Sequence, residues 1–179
     1  MTVERGIGFH IGLGMVLLLG GAGSALAATL TVCPSGCSHT TIQGAVSAAF
    51  PGDTIQILSS THTEGDIFLT KDITVEGFGA ALTIVQAHAS PGVATVPVFI
   101  VTGGSDVVIR SLVNRHGDGN NGGGVYIQDG TLTLEDVNVM HNTASSGGGV
   151  FVSATATLRT SGATINYNTA DGGGGGVEV

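Results

Sequence analysis

A chain of 179 residues has room for one domain. Its formal net charge of −8 argues against nucleic acid or an anionic membrane as a partner. Glycine reaches 31 residues, but 42% of the chain is apolar, which argues for a packed core over low complexity.

The first stretch reads as a targeting segment. Arg5 makes a weak positive start, offset by Glu4. Residues 11–21 are apolar, and Ala25-Leu26-Ala27 has the small residues of a cleavage site. The apolar run is short and glycine-rich for a membrane span. A cleaved signal peptide over residues 1–27 is therefore expected. The mature chain would be exported, secreted or on the cell surface, with no membrane span of its own. In that compartment Cys33 and Cys37, separated by Pro34-Ser35-Gly36, are expected to form a local disulfide. Two thiols and a nearby His39 do not complete a tetrahedral metal set. So short a closed loop should add little stability.

One helical pattern follows, from Thr41 to Phe50. Thr40-Thr41-Ile42-Gln43 fits a capping box. Ile42, Ala45, Val46, Ala49 and Phe50 make one apolar stripe, and Pro51-Gly52 stops it. Strand patterns then take over. Residues 53–58 are expected as the first strand, followed by 67–69, 73–75 and 82–85. Residues 87–96, with Pro91-Gly92, are expected to bulge out as a loop. Strands resume at 98–101 and 107–109.

The last third repeats. Gly122-Gly123-Gly124-Val125 recurs as Gly147-Gly148-Gly149-Val150 and as Gly174-Gly175-Gly176-Val177, at offsets of 147 − 122 = 25 and 174 − 147 = 27. Residues 139–144 match 165–170, and 107–116 match 132–141 at an offset of 25. Alternation in Thr131-Leu132-Thr133-Leu134 and in Val137-Asn138-Val139 means half-buried strands, and Asp129-Gly130 and the glycine clusters mark corners. A unit of this size cannot bury its own apolar face, but stacked units can. The expected fold is an all-β parallel solenoid over residues 53–179. It would have about six rungs and be roughly 30 Å long at ~4.8 Å per rung. Residues 28–52 would form an N-terminal cap, with the short helix as a lid over exposed strand edges. The chain stops inside a new rung with no polar terminal repeat, so it is expected to be the N-terminal part of a longer protein.

On these residues the chain resembles right-handed parallel β-helices of the pectate-lyase-like superfamily. The closest likeness is to polymorphic outer membrane protein repeats. That family carries a Gly-Gly-Ala-Ile type corner and a Phe-x-x-Asn signature. Here the corners are Gly-Gly-Gly-Val, and Val139-x-x-Asn142 and Ile165-x-x-Asn168 put a β-branched residue in place of the phenylalanine. The opening strands resemble pectate-lyase-like proteins, pectin methylesterases included: Gly52-Asp53-Thr54-Ile55, then Thr61 to Glu64, then Ile73-Thr74-Val75 before Gly77. A fold so widely shared does not carry a function.

Several residues invite chemistry. Asn142 and Asn168 hold equivalent corners and are expected to form a structural amide ladder. His116 and His141 stack at the same offset, but no third ligand has useful spacing. Asp118-Gly119-Asn120-Asn121 offers hard oxygen donors for Ca²⁺, yet turn chemistry explains Asp118, Asp129 and Asp171 better, and no cofactor is expected. Glu135 and Asp136 are adjacent, so they point to opposite faces of a strand. Pectin methylesterases carry Gln-Asp and Asp-Phe catalytic signatures, and Asp-Phe does not occur in this chain. Pectate lyases set an arginine among carboxylates on one face, and Arg110 and Arg115 lack that setting. Tyr126 and Phe151 are equivalent. If Val125, Ile127, Val150 and Val152 point inward, the rings stack outside and suit sugar. In the reverse register they fill the core. The function expected is non-catalytic: an exported, surface-displayed scaffold for adhesion, contacting carbohydrate or cell-surface molecules. The alternative is a polysaccharide lyase or carbohydrate esterase whose site lies on further rungs.

Overall fold

A computed structural model describes residues 26–79 and 82–179. Residues 1–25, most of the segment read as a signal peptide, lie outside the described residues, and Leu26 and Ala27 are exposed. The elements in chain order are β1 (Thr29–Val32), α1 (Ile42–Ala48), β2 (Thr54–Ile57), β3 (Thr61–Thr63), β4 (Ile67–Leu69), β5 (Thr74–Glu76) and β6 (Ile84–Gln86). Then come β7 (Phe99–Val101), β8 (Asp106–Arg115), β9 (Asp118–Asn121), β10 (Val125–Ile127), β11 (Gly130–Met140) and β12 (Thr143–Ser146). The last are β13 (Val150–Val152), β14 (Ala156–Ser161), β15 (Thr164–Asn166), β16 (Thr169–Ala170) and β17 (Val177–Glu178).

The strand pairings are parallel and join each coil to the next, which makes an all-β solenoid of about 6 turns. The largest sheet runs β1-β2-β5-β8-β11-β14, with β3, β6 and β15 on a second arm. A second sheet runs β17-β13-β10-β7-β4, and a third runs β16-β12-β9. The stack starts at β1, one strand before the one expected at residue 53, because Thr29–Val32 pairs along its length with Thr54–Ile57. Leu132 lies against Val107 and Met140 against Arg115, the 25-residue offset of the sequence.

Corners come from backbone, not side-chain bulk. The long strands β8 and β11 bend at Ser111 and Asp136, both at positive φ (57° and 51°). The next corner uses His116, His141 and Tyr167, again at positive φ (56°, 55° and 53°). Non-glycine residues are uncommon there, so each corner holds its strain through the coils stacked on it. The glycine triplets make the third corner. Gly122 and Gly147 have positive φ (63° and 61°). Gly124 has no such need. A side chain there would meet the Gly149 carbonyl and the Asn142 amide at 2.6 and 2.8 Å, so glycine is required for close approach.

Alternation puts Leu132, Leu134, Val137 and Val139 wholly inside. Burying each such side chain contributes about 1.5–3 kcal/mol. Segment 87–98 holds no strand, but its end rejoins the stack: the Val96, Pro97 and Val98 carbonyls accept the Asp118, Asp66 and Ile67 amides. Helix α1 packs its buried Ile42, Ala45 and Val46 on the same core, against β1, β2 and β4. Phe50, placed on its apolar stripe, is instead 72% exposed, because the chain leaves the helix at Ala49. The N-cap is Thr41, whose hydroxyl accepts the Gly44 amide at 3.1 Å. The sequence placed the capping box one residue earlier, on Thr40. Gln43 does not cap. Its side-chain oxygen accepts the Phe68 amide of β4 at 2.7 Å.

Candidate functional site

In the second sheet, Ile67 and Leu69, Phe99 and Val101, Val125 and Ile127, and Val150 and Val152 all point into the core. The residue between each pair therefore faces out. The registers put Phe68 against Ile100, Ile100 against Tyr126, Tyr126 against Phe151, and Phe151 against Glu178. The valines are in and the rings are out, which resolves the register that the sequence left open. The Tyr126 and Phe151 rings meet edge-to-face, with centroids 5.8 Å apart and planes at 67°. Both are half-buried, and Phe68 at the far end is 44% exposed. The row is uncharged from Phe68 to Phe151. It ends at Glu178, whose carboxylate turns aside to accept the Gly147 and Gly174 amides at 3.1 and 2.9 Å.

Behind that face, Asn142 is buried at its corner. Its Oδ1 accepts the Gly117 amide at 2.9 Å, and its Nδ2 donates to Asn168 Oδ1 at 3.1 Å. Half-buried Asn168 sits on the next rung, and its Nδ2 donates to the Val139 carbonyl at 2.9 Å. On the preceding rung the position is Gly117, where any side chain would strike the Gly123 carbonyl. Asn114, absent from the sequence reading, fills the gap from inside the core. It is 1% exposed and donates to the Gly124 carbonyl at 2.9 Å. Its signal was a polar residue aligned with inward-facing Val139.

The histidines join a stack of corner rings. His116 and His141 lie 6.5 Å apart at centroids, and His141 stacks on Tyr167 at 5.4 Å. His116 Nδ1 lies 3.1 Å from the His88 carbonyl, which only accepts, so Nδ1 carries the proton. Burial lowers the His116 pKa. The His88 hydrogen bond opposes this, while the charges of Arg115 and His141 add to it. Among the described residues no group of three or more His, Cys, Asp or Glu side chains is placed to hold a metal. Asp118 to Asn121, read as a turn, is strand β9 paired with β12. The row there needs extended backbone, and the Asp118 amide is bonded to the Val96 carbonyl.

Arg110 is in a different setting from the one expected. On the outer face of the first sheet it pairs with Glu76 at 3.2 Å and stands in register with Glu135 on its other side. An arginine between two carboxylates does exist. The sequence hid it because Glu76 is 34 residues away, across the 87–96 insertion.

Helix α1 is held at both ends by side chains from other coils. Glu64 accepts the Ile42 and Gln43 amides at 2.7 and 2.8 Å and pairs with His62 Nε2 at 2.8 Å. Burial works to raise the Glu64 pKa, but the hydrogen bonds from His62, Gln43 and Ile42 bring it below the usual value. The Lys71 ammonium donates to the carbonyls of Val46, Ser47 and Ala49 at 2.9, 3.0 and 2.7 Å. An anion at the N-terminal end and a cation at the C-terminal end both suit the helix dipole. Below it, Asp53 accepts the Phe50 and Ala28 amides at 2.8 and 2.7 Å, and these bonds hold its pKa low. A disulfide joins Cys33 and Cys37, with Cα atoms 5.5 Å apart.

No protein-family model, curated protein or solved structure matches this chain.

Proposed function

We propose that this protein is an exported, surface-displayed β-helix that holds carbohydrate on the outer face of its second sheet, as a non-catalytic adhesive scaffold. The carrying observation is the uncharged outer row Phe68, Ile100, Tyr126 and Phe151, in which Ile100 is buried and the three rings reach solvent. Aromatic rings on a flat β face offer the apolar contact that the C–H faces of pyranose rings prefer. The coil is right-handed in this reading, in keeping with the near-universal hand of parallel crossovers. Helix α1 serves as the lid over the N-terminal end. Its buried stripe and two-ended clamp support that role. The kinship is with pectate-lyase-like β-helices and, more narrowly, polymorphic outer membrane protein repeats, and it rests on the Gly-Gly-Gly-Val corners and the Asn142 and Asn168 positions. Export rests on the 1–27 segment and the Cys33–Cys37 bond. Among the described residues no helix is long and apolar enough to cross a membrane.

The test is titration calorimetry of the chain against a panel of soluble neutral and acidic polysaccharides. Binding to at least one is expected, with a loss of about tenfold or more in Tyr126→Ser/Phe151→Ser, equal to about 1.4 kcal/mol. Binding that survives the double substitution in a folded variant sinks the reading.

A further inference from the structure

Strand β1 has two edges. On one, the carbonyls of Ala28 and Val32 accept the Thr54 and Leu58 amides of the next coil at 2.8 and 2.9 Å. Backbone groups alternate sides along a strand, so those of Thr31 and Cys33 point to the opposite edge. That edge is covered by the chain just after it. The Thr31 amide donates to Ser38 Oγ at 2.9 Å, and the His39 amide donates to the Thr31 carbonyl at 2.9 Å. The Cys33 amide donates to the His39 carbonyl at 3.2 Å, and Val32 and His39 form a parallel bridge. The Ser38 amide donates in return to Thr31 Oγ1 at 3.0 Å. Two residues thus stand where another strand would otherwise pair.

The Cys33–Cys37 bond closes a loop of sequence separation 4, too short to stabilise the whole fold much through chain entropy. Its effect is local. Cys33 directly follows β1, and Cys37 directly precedes Ser38. The bond therefore fixes the cover on the edge it satisfies. Pro34, Ser35 and Gly36 between them are exposed, and both cysteines are half-buried, so a reductant has access.

We propose that the Cys33–Cys37 disulfide is a redox latch on an edge cover. Closed, it holds Ser38 and His39 on β1. Opened, it releases them and uncovers the Thr31 and Cys33 backbone groups, an edge of the kind that templates strand pairing. The opening agent is an external dithiol. Its two sulfurs join as a disulfide, the Cys33–Cys37 bond breaks with the two electrons supplied, and the two protons that leave the dithiol end on the Cys33 and Cys37 thiols. The latch is independent of what the second sheet binds.

Amide hydrogen exchange on the whole chain tests it, comparing oxidised protein, protein reduced with dithiothreitol, and Cys33→Ser/Cys37→Ser. Thr31 and Cys33 should exchange about tenfold faster or more on reduction, while Val32, bonded to the β2 side, keeps its rate. The position-33 amide of the double variant should match the reduced protein. Reoxidation of the wild type should restore slow exchange, a comparison that holds even if the double variant fails to fold. Unchanged protection at Thr31 and Cys33 after reduction overturns the latch. So does equal loss at Val32, which would mean that the whole strand frays.

Discussion

Asn168 Oδ1 receives two hydrogen bonds from Asn142: the backbone amide at 3.0 Å and the side-chain amide at 3.1 Å. One carboxamide thereby fixes both the corner and the register of the rung below. Asn142→Ala leaves the buried Gly117 amide without its acceptor and takes the side-chain donor from Asn168. The expected loss is about 1–3 kcal/mol. Asn138 is half-exposed on the outer face and accepts the Thr164 hydroxyl. Asn138→Ala should cost less, within about 1 kcal/mol, because water replaces much of what is lost. Urea melts of the two variants give the comparison. Equal effects contradict a corner ladder.

The glycines divide into two kinds, and substitution separates them. Gly104 has positive φ (69°) but open space where a side chain would go, so Gly104→Ala should cost only backbone strain, about 1–2 kcal/mol. Gly124 has no positive φ, but a side chain there presses on the Gly149 carbonyl at 2.6 Å and on Val139 at 2.8 Å. Gly124→Ala should cost at least about 3 kcal/mol or prevent folding, because backbone on the next rung cannot yield as a flexible side chain does. Thermal melts and expression of soluble protein report the difference. A mild Gly124→Ala would show that the coils are spaced more loosely than the structure has them.

What the sequence makes legible follows from locality. The parallel stack is readable because Leu132 and Leu134 repeat Val107 and Ile109 at a fixed offset, and one register then governs a whole coil. The outward row is readable only for Tyr126 and Phe151, which share that offset. Phe68 and Ile100 belong to it too, but 100 − 68 = 32, because the 87–96 insertion breaks the period. The Glu64 and Lys71 clamps on α1 bridge 22 and 25 residues with no repeat to relate them, so no pattern announces them. Corner residues mislead for another reason. His116, His141 and Tyr167 share a positive-φ backbone conformation, and composition does not report φ.

The Tyr126 and Phe151 rings touch across a rung, so their contributions to stability should be coupled. Tyr126→Ser and Phe151→Ser should each destabilise modestly, since both rings are half-exposed. A double-mutant cycle should return about 0.5–1.5 kcal/mol of interaction for the edge-to-face pair. Coupling near zero by denaturant melts would mean that the rings do not hold the 5.8 Å contact in solution.

Acid should destabilise the fold in two stages, and the sign follows from three groups. His116 has a folded-state pKa below the ordinary value, chiefly through burial, so the unfolded chain takes its proton first as pH falls. Its contribution is fully present above the unfolded value of about 6.5 and is lost as pH falls through the folded one. Glu64 and Asp53 are also lowered. Burial opposes the shift at Glu64, and hydrogen bonds from His62, Gln43 and Ile42 outweigh it; at Asp53 the Phe50 and Ala28 amides dominate. Their stabilisation is present above the unfolded carboxylate values of about 4 and is lost on acidification through the folded ones. The urea midpoint should therefore be flat near pH 8, begin to fall below about 6.5 and fall more steeply below about 4. His116→Asn, which tolerates the positive φ of that corner, should flatten the upper stage and leave the lower one. Glu64→Gln should shrink the lower stage, and because it also weakens the hold on the Ile42 and Gln43 amides, α1 should lose exchange protection before the core strands do. A midpoint that rises between pH 7 and 5, or a lower stage unchanged in Glu64→Gln, would contradict this assignment of the charges.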